Sequence, residues 1–312
     1  MHRLFWSIVI ITLFFFSNCT SSSDVKVDIK GELLLQKEVD YPSGSAIMFH
    51  DGNLYLMGDD AQGLLILDTS FNSVNTLSVF GNSPNRIYKP IKPDIESSEI
   101  INDQLWLLGS GSVTPFRDSL IRVNLSTKAI QKLSLKSFYD TLRISIKTLN
   151  IEGLAKVKNQ IVIGHRRNNL DPQNYLISFP SGMLESNNYE DIKIIRFIPT
   201  SQDLGISGMT YHTKNDMLFI TSSREDTQDS YNDGDIGESN LSIIAKASQK
   251  LSTDSITAEN HISLTSIHPS FKKVKIESIA IAEVKDDYFI IYLAADNDDG
   301  KTSLFKVKLT LN

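Results

Sequence analysis

An all-β fold of repeated four-stranded units is what this sequence predicts, and three observations predict it. The first is a short pattern that recurs five times: "GSAIMF" from Gly44, "IESSEI" from Ile95, "IEGLAK" from Ile151, "ISGMTY" from Ile206 and "IESIAI" from Ile276. Each copy has a Glu or Ser followed by a small residue, set in an apolar, strand-like run. The Glu or Ser falls at 45, 96, 152, 207 and 277, at intervals of 51, 56, 55 and 70 residues. The second observation is that short polar links ("HDG", "NDQ", "KNQ", "TKND") join each copy to a second apolar segment, as hairpin turns do. The third is that no sustained helical period runs through the chain. Four antiparallel strands recurring at this spacing describe the blades of a β-propeller.

The elements follow in order. Second strands are read at 54–58, 105–109, 161–165, 217–223 and 288–295. Third strands are read at 64–68, 119–125, 175–179, 240–246 and 303–309. Fourth strands are read at 73–80, 128–135, 192–198 and 256–264. The fifth repeat ends after its third strand. The strand-like stretch "DVKVDIKGELLLQKEV" at 24–39 is expected to complete it. That pairing closes the ring and removes an exposed edge. Five blades result, or six if the stretch 224–270 holds one more. The competing all-β reading is a sandwich.

Composition agrees with one large domain over 25–312. Of the 312 residues, 41% are hydrophobic and 22% charged, a balance that supports a sizeable core. The net charge is −6 and no basic block appears, so nucleic acid is set aside as a partner.

The N-terminus predicts export. His2 and Arg3 precede the 13-residue apolar run Leu4 to Phe16, which has signal-peptide rather than membrane-spanning length. "FSNC" then resembles the lipoprotein signal box, with Cys19 as the residue that receives lipid. Asn18 departs from the usual small residue before the cysteine. Cys19 is the sole cysteine and has no disulfide partner, which suits an anchor. Residues 1–18 are therefore expected to be a signal peptide and 19–24, "CTSSSD", a tether to the membrane. The protein is expected in a bacterial cell envelope, lipid-anchored outside the cytoplasm, at the outer membrane or the periplasmic face.

The repeats predict where chemistry sits. In a propeller the first strand of each blade lines the central channel. The start of the first strand and the end of the second meet at one face. Strand starts supply Ser45, Glu96, Glu152, Ser207 and Glu277. Strand ends supply Asp59, Ser110, His165, Arg166, Arg224 and Asp296. Three glutamates at close quarters repel one another unless a positive charge joins them. Two remedies are open. A hard cation such as Ca2+ would take Glu96, Glu152, Glu277 and Asp296 as ligands. Arg166 and Arg224, with His165 and Asp59, would instead hold a small or anionic ligand. A structural alternative is that the glutamates accept hydrogen bonds from neighbouring first strands and water.

"NIEGLA", "GISGMTYHTKNDMLFITSS" and "KIESIAIAEVKDDYFIIYLAADND" resemble blades of the phytase-like and esterase-like propeller group, over roughly 40–312. The resemblance implies a propeller, Ca2+ in or near the channel, and in some members phosphomonoester hydrolysis. Glu152 matches the motif, Glu96 and Glu277 less closely, and Ser207 departs from it. The dense lysine and aspartate cluster of true phytases is missing.

Two acidic loops were weighed. "REDTQDSYNDGDIGESN" at 224–240 lacks EF-hand spacing, since Tyr231 stands where an oxygen ligand is required. "DNDDG" at 296–300 reads as a hairpin turn. No nucleophile elbow, zinc-protease motif, P-loop or Rossmann glycine pattern is present. Three functions stay open: metal or ligand binding at the channel mouth, Ca2+-dependent hydrolysis of phosphoesters or esters, and a non-catalytic scaffold for a protein partner of unknown kind.

Overall fold

Tight turns set the architecture. His50 pairs with Asn53 across Asp51 and Gly52, and Ile101 pairs with Gln104 across Asn102 and Asp103. All four turn residues have positive φ, between 47° and 79°. That is the requirement of a two-residue hairpin whose twist matches its strands, and it explains the Asp, Asn and Gly found there. The computed structural model describes residues 28–81, 86–186, 188–226, 235–285, 288–296 and 300–312. The signal segment, Cys19 and the tether lie outside the described residues, as do 227–234 of the acidic loop and 297–299 of the last turn.

Five sheets form, one per repeat. The N-terminal strand is β1 (Ile29–Val39). The first blade is β2 (Gly44–His50), β3 (Asn53–Gly58), β4 (Gly63–Asp68) and β5 (Ser73–Ser78). The second is β6 (Ile95–Ile101), β7 (Gln104–Gly109), β8 (Ser119–Asn124) and β9 (Ile130–Ser134). The third is β10 (Ile151–Val157), β11 (Gln160–His165), β12 (Asn174–Pro180) and β13 (Lys193–Ile198). The fourth holds β14 (Leu204–His212), β15 (Met217–Asp226) and β16 (Asp235–Ala245). After it come β17 (Ser255–Thr257) and β18 (Asn260–Ser263). The last holds β19 (Ile276–Val284), β20 (Tyr288–Asp296) and β21 (Thr302–Leu311).

The expected ring closure is present. β1 runs antiparallel to β21, from Ile29 opposite Leu311 to Val39 opposite Thr302. Neighbouring first strands contact one another all the way round, from β2 to β6, β10, β14, β19 and back to β2. The stretch 224–270 makes no sixth blade. Its β18 completes the fourth blade, while β17 crosses to pair in parallel with β13 and adds a fifth strand to the third. Short helices lie between the strands as well; the longest among the described residues is α1 (Lys136–Arg143), which tucks Phe138, Tyr139 and Leu142 into the gap between the second and third blades.

The core lies between blades rather than at one centre. Leu105, Leu107 and Ile121 of the second blade meet Leu54, Leu56 and Leu65 of the first. Phe219, Leu241 and Ile243 of the fourth meet Phe289, Leu293 and Phe305 of the last. Inner strands are therefore buried on both faces and read as continuous apolar runs, such as "LYLM" in β3. Outermost strands face water, and β5 is almost wholly exposed. No helix among the described residues is long and apolar enough to cross a membrane.

Candidate functional site at the channel mouth

The recurring Glu or Ser has a common structural cause. In all five blades the pairing between first and second strand slips at that residue: between Gly44 and Ala46, Ile95 and Ser97, Ile151 and Gly153, Ile206 and Gly208, and Ile276 and Ser278. Ser45, Glu96, Glu152, Ser207 and Glu277 are thus the extra residues of five β-bulges. A bulge takes one residue out of the alternation and re-aims its side chain. This is how a carboxylate enters an apolar strand without facing the inter-blade core. The small residue that follows is also explained. A Cβ on Gly208 would lie 2.9 Å from the Ser278 backbone, and one on Gly153 would lie 2.7 Å from Met209 Cγ. The first strands crowd too closely for more.

The three glutamates converge but have unequal partners. Glu152 is buried and saturated. Arg166 Nη1 reaches it at 3.1 Å and the Asn150 amide donates to it at 2.6 Å. Arg166 also donates to the Ile206 carbonyl, the Ser223 hydroxyl and the Ser223 carbonyl, so its guanidinium ties the third blade to the fourth. Glu277 pairs with Lys275 at 2.8 Å. Burial still pushes its carboxyl up to about 8; Lys275 opposes the rise and nearby Glu152 adds to it.

Glu96 differs. Desolvation by the channel walls raises its carboxyl well above the usual range, and Asp94, Asp59 and Glu277 add to the rise. It makes no ion pair of its own among the described residues. One oxygen each from Asp59, Asp94 and Glu96 lie within 4.8 Å of one another, a spacing that could hold a metal ion. Asp59 Oδ1 is buried with no hydrogen-bond partner. Lys92 already brings one positive charge, touching Asp59 and lying 2.7 Å from Asp94. Burial alone would lower that ammonium, but the three carboxylates outweigh burial and push it up. Asp94 is further held by Arg117 at 2.7 Å and by the hydroxyls of Ser110 and Ser112. These partners overcome burial and keep its carboxyl below the usual range.

The other expected residues take varied places. Asp296 ends β20 and lies in the field of Arg86, which pairs with Asp60 at 2.5 Å and donates to Ser43 at 2.6 Å. Burial and Asp59 lift the Asp60 carboxyl to about 6. Arg224 is half exposed and pairs with Asp203 at 2.8 Å, apart from the glutamates. His165 is fully buried, stacks on Tyr175, and accepts the Asn150 N–H at 3.1 Å through Nδ1. Burial drops its imidazole to about 3, so it stays neutral at physiological pH. Among the described residues, the metal-capable group keeps Glu96 from the expected ligand set and replaces Glu152, Glu277 and Asp296 by Asp59 and Asp94. Glu152 and Glu277 are each held by a cation of their own, Arg166 and Lys275, while Asp59, Asp94 and Glu96 are the carboxylates whose oxygens come within 4.8 Å of one another.

Sequence reading missed Asp94, Lys92, Arg117, Lys275 and Glu99. A signal existed for two of them. The residue two before each bulge is Ser43, Asp94, Asn150, Gly205 or Lys275. A strand's period of two places it beside the bulged side chain. Three of these polar residues serve the site: Asn150 and Lys275 bind their own blade's glutamate, and Asp94 joins Glu96. Glu99 takes the structural role weighed for the other glutamates. It accepts the N–H groups of Ile100 and of Lys156 on the next blade, and burial lifts its carboxyl to about 7.

The chain matches the model of a family of unknown function, DUF6929, over residues 40–309, and it belongs to that family. No curated protein matches it. Among solved structures it is similar to the glutaminyl cyclase of Myxococcus xanthus, at 12% identity and a TM-score of 0.55, covering 92% of this chain and 100% of that one. It is also similar to an exported protein of Bacteroides fragilis, at 11% identity and a TM-score of 0.41, covering 93% and 98%. These are likenesses of fold. The propeller implied by the phytase-like resemblance is present, and the family shown is DUF6929.

Proposed function

We propose that this protein is an extracytoplasmic propeller that binds a small cation at its channel mouth, with Ca2+ as the first candidate. The observation that carries the reading is the Asp59, Asp94 and Glu96 group, whose three oxygens lie within 4.8 Å. Lys92 and Arg117 offset two of these three charges, and Asp59 Oδ1 is buried with no acceptor role filled. A hard cation with oxygen ligands suits that donor set, with backbone carbonyls or water completing the shell. Glu96, Asp59 and Asp94 would hold it. The test is the melting temperature with and without Ca2+. A rise that disappears in Glu96→Gln supports the site. No shift with any divalent ion would refute it.

One observation favours a catalytic reading. Glu277 keeps its proton to about pH 8 while Glu152, close by, is matched to Arg166. Two neighbouring carboxyl groups in opposed environments can serve as acid and base. On this reading the protein is a Ca2+-dependent hydrolase of phosphoesters or esters. Arg166 is fully engaged by protein groups, which leaves it little capacity to hold an anionic substrate. The glutaminyl cyclase activity named for the Myxococcus xanthus protein is not carried over, because the likeness is one of fold. Turnover of a phosphomonoester or ester panel, lost in Glu277→Gln, would establish catalysis; inactivity across the panel would count against it. A non-catalytic scaffold predicts neither Ca2+ binding nor turnover.

Export and anchoring through Cys19 complete the proposal. Cys19→Ala should move the protein from the membrane fraction to the soluble one. Retention in the membrane would refute the anchor.

A further inference from the structure

We propose a second binding site, separate from the channel, that takes a small organic anion with a carboxylate or phosphate head and an apolar body. It lies at the rim of the third and fourth blades, on the same face as the channel mouth. There the connection from β11 to β12 approaches the connection from β13 to β14. A cavity of about 390 Å³ opens between them, lined by Arg167, Arg196, Gln173, Gln202, Phe197 and Ile198 among others. That volume falls in the range of small-molecule sites, about 300 to 1,000 Å³.

The lining specifies the ligand. Two guanidinium groups face one small cavity, and no carboxylate lies within ion-pair distance of either among the described residues. Arg167 Nε is buried without a hydrogen-bond partner, and Arg167 Nη1 reaches only the Asp203 carbonyl, at 3.4 Å. The Asp203 carboxylate is engaged elsewhere, by Arg224 at 2.8 Å and by the Ser201 hydroxyl. A planar guanidinium fork with no carboxylate partner matches a two-oxygen or three-oxygen anion. Gln173 and Gln202 add neutral hydrogen-bonding groups, while Pro172, Pro199 and Ile198 offer apolar surface for the rest of the molecule.

The walls are rigid. Asn174 accepts the N–H groups of Arg167 at 3.1 Å and of Ile206 at 2.9 Å, and donates to the Leu204 carbonyl at 2.9 Å. It thereby fixes the start of β12 against the start of β14. β17 braces the other wall by pairing with Arg196, Phe197 and Ile198. The extra strand of the third blade thus supports the very residues that line the cavity. Arg224, expected from the sequence to hold an anion, is neutralised by Asp203; Arg167 and Arg196 take that place.

The experiment is calorimetric titration of the full folded domain with phenyl phosphate, benzoate and inorganic phosphate in Ca2+-free buffer. Saturable one-to-one binding of phenyl phosphate or benzoate is expected. Affinity should fall at least about tenfold in Arg167→Ala and in Arg196→Ala, the scale of a lost charge-assisted contact. It should also fall in Arg167→Lys, which keeps the charge but loses the fork. Arg196 is exposed, so its variant folds even if Arg167→Ala does not. Absence of saturable binding to all three probes would overturn the site. Equal affinity in wild type and Arg196→Ala would do the same. Equal affinity for inorganic and phenyl phosphate would remove the apolar body from the proposal. None of these outcomes depends on Ca2+ binding at the channel.

Discussion

Glu152 and Glu96 occupy the same bulge in adjacent blades and live in opposite surroundings. Glu152 is buried, paired with Arg166 and bonded to Asn150. Glu96 is half-buried, with two further carboxylates beside it and no ion pair of its own among the described residues. The copy with the cleanest motif, "NIEGLA", is the one whose charge the protein has already answered. The copy embedded in "DIESSE" is the one whose carboxylate has two others close enough to share a metal ion. A repeat fixes where a side chain points. The residues around the repeat decide what that side chain can do.

The largest expected effect comes from breaking the closed half. Arg166→Ala leaves Glu152 buried without its cation and unties the third and fourth blades. Stability should fall by about 3 to 5 kcal/mol, the cost typical of an orphaned buried charge. Denaturant unfolding measures it, and a loss below about 1 kcal/mol would mean the pair is no tie.

The open half should respond differently. Lys92→Met removes the cation shared by Asp59 and Asp94, but Asp94 keeps Arg117. A smaller loss is expected, about 2 kcal/mol, on the scale of a buried polar group deprived of its partner. Added Ca2+ should restore that loss and bind more tightly than to wild type, because its competitor is gone. Thermal melts with and without Ca2+ check both. Weaker Ca2+ binding in Lys92→Met would show that Lys92 assists rather than competes.

Crowding of the first strands ranks next. Gly208→Ala puts a Cβ 2.7 Å from Thr221 Oγ1 and 2.9 Å from the Ser278 backbone. A loss of about 1 to 2 kcal/mol is expected from overpacking. Neutral behaviour would mean the channel is wider than the described geometry.

The pH profile tests the buried groups without breaking a packing contact. Glu277 titrates near 4.5 when unfolded and near 8 when folded. The folded state therefore binds more protons between these values, and this group's contribution is full below 4.5 and lost as pH rises through 8. Glu277→Gln should flatten that decline in melting temperature. His165 acts in the opposite sense. Its folded value near 3 lies below the ordinary 6.5, so its contribution is present above 6.5 and is lost as pH falls through 3. An unchanged slope from 4.5 to 8 in Glu277→Gln would show that the carboxyl is ionised throughout.

The sequence by itself determined the ring. Five apolar strand pairs, short polar links and one strand missing from the last repeat pointed to a ring closed by β1, with five blades or six; β17 and β18 joining existing blades made it five. These features are local, set by alternation, turn chemistry and the need to cover an edge. The five bulge positions were equally legible, because a residue that breaks an apolar run at a constant register must have a constant backbone cause. Tertiary structure decided the charges. Lys92 lies two residues before Asp94, but it reaches Asp59 of the first blade, and Arg117 reaches Asp94 from the connection of β7 to β8, only once the blades are folded. Arg166 meets Glu152 within its own hairpin, but it reaches Ser223 of the fourth blade only once neighbouring blades are packed. β17 joins the third blade although the chain places it after the fourth. Electrostatic partners and parallel pairings depend on distances in space, and repeats in sequence carry no record of those distances.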